Sequence, residues 1–125
     1  MELISQKKRI LVLDKNSRML PVVDEIMMYG DFDVQTIYDP NVVYDKAKDF
    51  HPDVIILDYL LLDKDCALIC RDFKDDVNFK NVPLIVVASY RTQQVTIDSY
   101  NCDALFVKPL DMMALASRMD YLMAS

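Results

Sequence analysis

Short runs of consecutive apolar residues alternate along this chain with longer stretches in which apolar residues recur every three or four positions. The first pattern is typical of a strand buried on both faces, and the second of an amphipathic helix. Consecutive apolar residues predict strands at 9–13, 53–57, 83–88 and 104–107, and alternation of apolar and polar residues predicts another at 34–38. The amphipathic pattern predicts helices at 17–28, 40–50, 66–74 and 91–100, and a last one from 111 onward.

Capping residues agree with several of these boundaries. Ser17 and Gly30 are the predicted N-cap and C-terminal stop of the first helix, and Asp39, directly before a proline, is the predicted N-cap of the second. Asp111 is the predicted N-cap of the last helix. We assign 91–100 as a helix although its β-branched residues, which lose rotamer freedom in that state, disfavour it.

Strands that alternate with helices predict a parallel sheet, because parallel neighbours need crossover connections of helical length. Right-handed crossovers place helices on both faces of such a sheet. We therefore expect one α/β domain over residues 1–125, a doubly wound five-stranded sheet in a three-layer sandwich, with no output domain. Folds of this kind bind ligands at the carboxyl ends of their strands.

The composition narrows the possible function classes. A net charge of −6 disfavours direct binding to nucleic acid, which depends on phosphate neutralisation. No apolar run reaches the ~18 residues of a membrane span, and no secretory segment precedes the first strand, so we expect a cytoplasmic protein without membrane contact. Gly30 is the only glycine, whereas loops that cradle phosphates contain several, so we expect no nucleotide or flavin cofactor.

The three cysteines, an odd number without a secretory signal, indicate reduced thiols rather than disulfides. Cys66 and Cys70 lie one helical turn apart, but zinc sites usually have four ligands, and Cys102 and His51 are distant in sequence. Packing as small apolar side chains is the expected role of the cysteines, and we expect no zinc.

Three ionisable residues follow predicted strands directly. Asp14 and Asp58 end the first and third strands, and Lys108 follows the fifth. Because the carboxyl ends of parallel strands meet at one edge of the sheet, these side chains are predicted to lie close together there. Taken singly, each has an ordinary explanation: an aspartate after a strand is a common turn residue, and a terminal lysine is usually solvated.

Four segments resemble the receiver domains of response regulators, and the resemblance extends over nearly the full chain. They cover the first strand, the phosphoacceptor strand, the fourth strand and the fifth strand with its turn. The segments are 10–14 (ILVLD), 52–58 (PDVIILD), 82–87 (VPLIVV) and 105–110 (LFVKPL).

The resemblance implies a two-component phosphorelay function. Asp58 would take a phosphoryl group from a histidine kinase or phosphotransfer protein, Asp14 would help to hold Mg²⁺, and Lys108 would pair with the phosphoryl oxygens. Pro109 would form the family's cis-proline turn. The protein would act by switching a protein surface, with a homodimer through the last helices as one arrangement, and its only catalysis would be its own phosphorylation and dephosphorylation at Asp58.

The chain departs from the family pattern at Lys15, where a second acidic residue is usual. An inward-facing Lys15 about 4 Å from Mg²⁺ would oppose the cation by roughly 4 kcal/mol per unit charge at an effective dielectric near 20. A Lys15–Asp58 ion pair could then replace the metal, which would make the chain a phosphorylation-independent docking or dimerisation module. Alternatively, Lys15 extends into solvent, as most lysines do.

The family's switch residues also differ. The switch hydroxyl falls at Ala88 and the switch aromatic at Leu105, so both usual side chains are missing. Ser89 is adjacent to Ala88 but would face the other side of a regular strand. A strand-end hydrolase similar to the haloacid-dehalogenase group is disfavoured, because Asn16 stands where that group has its second aspartate.

Overall fold

The computed structural model of the chain describes residues 7–15, 32–59, 64–88, 101–108 and 111–124. Helices are numbered here in the order in which the described residues form them. The strands are β1 (Lys8–Asp14), β2 (Phe32–Ile37), β3 (Val54–Tyr59), β4 (Leu84–Ala88) and β5 (Ala104–Val107). The α-helices are α1 (Val43–Phe50), which follows a 3-10 turn at Pro40–Val42, α2 (Lys64–Asp75) and α3 (Met112–Ala124).

The five strands form one parallel sheet in the order β2-β1-β3-β4-β5, which is the flavodoxin-like arrangement. The predicted α/β class and doubly wound parallel sheet are therefore confirmed. The order changes direction between β1 and β3, and ligands of such sheets bind at the carboxyl edge near this point. One boundary differs from the prediction: β3 continues through Asp58 to Tyr59, so Asp58 lies inside the strand.

Successive residues of each strand point to opposite faces of the sheet, and this alternation divides the core into two clusters. The first core joins Leu11, Leu13 and Leu57 to side chains of α1 and α2. The second core joins the intervening strand residues, such as Ile10 and Ile56, to side chains of α3. Because fully burying a Leu or Ile side chain contributes about 1.5–3 kcal/mol, these runs fix which residues face which side.

The helix signals are also confirmed where the structure describes them. The Asp39 carboxylate accepts a hydrogen bond from the Asn41 N–H, and α1 ends at His51, which has a left-handed backbone with φ of 54°. The Asp111 carboxylate accepts from the N–H of Ala114 at 3.2 Å, as expected of an N-cap. The predicted helices 17–28 and 91–100, with Ser17 and Gly30, lie outside the described residues.

An ion pair ties α2 to the amino edge of the sheet. Lys74 Nζ lies 2.6 Å from Asp103 Oδ2 and donates to the Val82 carbonyl at 3.1 Å. The same carboxylate oxygen of Asp103 accepts from the Leu84 N–H at 2.7 Å. This contact therefore joins the end of α2, the start of β4 and the turn before β5. No α-helix among the described residues is both long and apolar enough to span a bilayer.

Candidate functional site

Asp14 and Asp58 are register partners at the carboxyl edge of the sheet. They lie on the adjacent strands β1 and β3, and the alternation of side chains places both on the second-core face. Asp14 is 8% exposed and Asp58 is fully buried. The two carboxylates that the sequence placed at one edge are thus brought together by strand register.

Lys108, directly after β5, is the third ionisable residue of this group. Its N–H donates to the Ala88 carbonyl at 2.8 Å, which extends the pairing of β4 and β5 by one residue. Its ammonium lies 3.2 Å from Asp58 Oδ2, and its side chain is 9% exposed. A buried carboxylate therefore has an ammonium at ion-pair distance, in surroundings where each charge depends strongly on the other.

Lys15 joins the same edge through its backbone but directs its side chain elsewhere. Its N–H donates to the Asp58 carbonyl at 3.0 Å. Its ammonium lies 3.4 Å from Asp65 Oδ2 and 5.3 Å from the centre of the Tyr59 ring, and the side chain is 25% exposed. This position agrees with strand alternation, which places Tyr59 on the first-core face, opposite Asp58.

Asp65 and Tyr59 were not identified as site residues from the sequence. Asp65 is an acidic residue in the first turn of α2, a common helix-start feature that does not by itself indicate a partner. Tyr59 follows Asp58 and was expected in a loop, but it is the last residue of β3 and is fully buried. Together they provide a carboxylate and an aromatic face for the Lys15 ammonium.

The predicted switch positions lie on β4 and β5. Ala88 is fully buried, is the register partner of Tyr59, and packs in the first core. Leu105 is partly buried and packs against the same core. Two small or aliphatic side chains therefore occupy the positions at which the family pattern has a hydroxyl and an aromatic ring. Ser89 and Pro109 lie outside the described residues.

The donor set at this edge contains oxygen ligands suited to a hard cation. Mg²⁺ is commonly held by one or two carboxylates, with waters and substrate phosphate oxygens completing its shell, and Asp14 and Asp58 are two such carboxylates. Within the described ranges, no group of three acidic, histidine or cysteine side chains forms a metal site by itself. A cation here would thus depend on ligands beyond these two residues.

The three cysteines do not belong to this edge. None of the three forms a disulfide; Cys66 and Cys70 are buried in the first core, and Cys102 packs against it. Desolvation by burial raises the pKa of Cys102 from 9.0 to about 12, and the neighbouring Cys70 adds to this rise. A thiol with that pKa is protonated and unreactive near neutral pH.

Known proteins resemble the chain in sequence, although no protein-family model matches it. Response regulator PleD of Caulobacter vibrioides is 26% identical over 113 residues, which make up 88% of this chain and 25% of PleD. Response regulator ArlR of Staphylococcus aureus is 27% identical over 112 residues, which make up 88% of this chain and 50% of ArlR. The chain thus spans a quarter to a half of these relatives.

A solved structure shares the fold of this chain. The crystal structure of the BeF3-activated N-terminal receiver domain of Klebsiella pneumoniae RstA matches with a TM-score of 0.78 at 18% identity, over 94% of this chain and all of that one. The chain is similar to response-regulator receiver domains in sequence and in fold. In this fold, Asp14, Asp58 and Lys108 lie together at the carboxyl edge, and Lys15 borders them from the other face of the sheet.

Proposed function

We propose that this receiver domain accepts a phosphoryl group on Asp58 from a phosphohistidine of a histidine kinase or phosphotransfer protein, as part of cytoplasmic two-component signalling. The observation that carries the proposal is the position of Asp58. It is a carboxylate at the carboxyl edge of the sheet, with the Lys108 ammonium 3.2 Å away. The modified domain would then present a changed surface to a protein partner.

The reaction is a simple displacement. A carboxylate oxygen of Asp58 attacks the phosphorus atom, the bond between phosphorus and the donor nitrogen breaks, and the imidazole leaves with the electron pair of that bond. The product is an acyl phosphate that carries about one more negative charge than the carboxylate. Lys108 is the cation at hand to pair with the phosphoryl oxygens, because its ammonium already lies against Asp58.

Asp14 and Asp58 are the residues that would hold Mg²⁺, which supplies charge neutralisation during phosphoryl transfer. The contacts of Lys15 support this assignment. A bare ammonium directed at the cation would oppose it, but the Lys15 ammonium lies on the first-core side, 3.4 Å from the Asp65 carboxylate. The nearby negative charge of Asp65 offsets part of the repulsion that the substitution at Lys15 would otherwise cause.

The burial of Asp58 should affect the rate at which it is phosphorylated. Because Asp58 has no exposed surface, a donor reaches its carboxylate only after neighbouring groups move apart. We therefore expect phosphorylation to be slow with a small donor. A partner protein that opens the carboxyl edge while docking would accelerate it.

The test is incubation of the protein with acetyl phosphate and Mg²⁺, followed by intact-mass measurement and peptide mapping. We expect addition of one phosphoryl group at Asp58 and its loss on treatment with hydroxylamine, which cleaves acyl phosphates. Asp58→Asn should remain unmodified. Asp45→Asn, which removes an exposed aspartate of α1, is the matched control and should be labelled like the wild type.

A second probe separates slow chemistry from a site that is unable to bind a phosphoryl group. RstA is described as BeF3-activated, so beryllofluoride with Mg²⁺ should shift the amide resonances of residues flanking Asp58 in wild-type protein but not in Asp58→Asn. An unmodified protein that also shows no beryllofluoride response would contradict the proposal. That outcome would favour a docking module that works without phosphate.

A further inference from the structure

A groove runs between α1 and α2 on the first-core face of the domain. Its volume is about 840 Å³, and Lys15 lies at the end nearest the carboxyl edge of the sheet. Residues of the 3-10 turn before α1 and of the turn after α2 also line it. The groove therefore borders the Asp58 site but opens on a different surface.

The floor of the groove is apolar. Val43 and Phe73 form its buried base, and Tyr44 and Ile69 are half-buried along its walls. Leu68 lines it from α2 and is 44% exposed. These residues offer a partner a continuous hydrophobic contact with Leu68 as an accessible anchor.

The rim of the groove is strongly acidic. Four aspartates line it against a single lysine, so the described lining carries a formal charge of −3. Asp65, Asp72 and Asp75 lie on α2, and Asp76 directly follows the last residue of this helix. Asp65 and Asp72 are two helical turns apart, which places them on the same side of α2. At a rise of 1.5 Å per residue, this acidic row extends over about 16 Å.

We propose that this groove docks a positively charged amphipathic helix of a partner protein. The apolar floor would receive the hydrophobic side of that helix, and the aspartates would pair with lysines or arginines repeated over about three turns. Charge complementarity selects this occupant. A second copy of the chain carries the same net charge of −6, and anionic lipid surfaces would be repelled by the same rim.

The proposal is independent of phosphorylation at Asp58, because the groove lining does not include Asp58, Asp14 or Lys108. An Asp58→Asn variant should therefore bind the same partner as the wild type. A failure of phosphorylation and a failure of docking are distinguishable in this way.

The test uses a designed peptide of about 18 residues, long enough to exceed the acidic row, with leucines on one face and lysines on the other. A matched peptide has glutamate in place of each lysine. Binding is measured by fluorescence anisotropy, and the contact surface by amide shifts in NMR spectra of the labelled protein. We expect the lysine peptide to bind with shifts concentrated in α1 and α2, binding to weaken as salt is added, and the glutamate peptide not to bind.

Variants of surface residues test whether the peptide binds in the groove. Asp72→Asn combined with Asp75→Asn should weaken binding by about fivefold at low salt, since each exposed charge pair contributes modestly, and Leu68→Ala should weaken it through loss of the apolar anchor. Asp120→Asn, at an exposed position of α3, removes one acidic charge outside the groove and should bind like the wild type. The proposal is overturned if Asp120→Asn weakens binding as much as the pair, if the shifts fall outside the groove, or if self-association or anionic vesicles occupy it instead.

Discussion

The buried contact between Lys108 and Asp58 predicts a large stability effect for Lys108→Met. At 3.2 Å and an effective dielectric near 20, the two charges attract by about 5 kcal/mol. Asp58 has no exposed surface, so water cannot replace the lost ammonium. Removal of one partner from a buried pair typically costs 3–5 kcal/mol, and we expect a loss of about 3 kcal/mol in the free energy of unfolding at pH 7.

Urea denaturation followed by far-ultraviolet circular dichroism measures this loss. A double-mutant cycle with Asp58→Asn isolates the pairwise contribution, since the asparagine keeps the shape but removes the charge. We expect a coupling energy above about 1.5 kcal/mol between the two side chains. Lys80→Met, at an exposed position, should change stability by less than about 0.5 kcal/mol. A coupling energy near zero would refute the ion pair.

Two further predictions concern other parts of the domain. Lys74→Met removes the ammonium that lies 2.6 Å from Asp103 and should lower the free energy of unfolding by about 2 kcal/mol; a loss below about 0.5 kcal/mol in urea denaturation would contradict this role. Cys102 should react with iodoacetamide at pH 9 far more slowly than in urea, because burial raises its pKa to about 12; equal rates would contradict the shift. Since the folded-state pKa is the higher one, the associated stability is complete below pH 9 and declines as the pH rises toward 12.

The strands could be predicted well because their signal is strong and local. Fully buried parallel strands consist of consecutive apolar residues, and such runs located β1, β3, β4 and β5 to within two residues at each end. Alternation of apolar and polar residues located β2 equally closely. The difference between the predicted and observed ends of β3 has a physical cause. Asp58 and Tyr59 continue the strand because their backbones pair with β4, whereas the sequence rule ends a strand at the first charged residue.

The site was predictable in part. Strand register brings Asp14, Asp58 and Lys108 to one edge of the sheet, and the alternation of side chains brings them to one face. Register and alternation can both be deduced once the strands are assigned. The ammonium position of Lys15 could not be predicted in the same way. A lysine side chain has four rotatable bonds, and its partner Asp65 comes from a helix start 50 positions away in sequence.

The position of Lys15 changes what its substitution means for the domain. From the sequence, Lys15 could face the cation site beside Asp14 or extend into solvent. Strand alternation instead turns it toward Tyr59 and Asp65 on the opposite face. The Lys15 ammonium therefore lies between the carboxyl edge of the sheet and the acidic groove. If a basic helix occupies that groove, it competes with Lys15 for Asp65. Lys15→Ala should therefore strengthen binding of the lysine peptide in fluorescence anisotropy, equally in the wild-type and Asp58→Asn backgrounds, and weaker binding by this variant would contradict the role of Asp65.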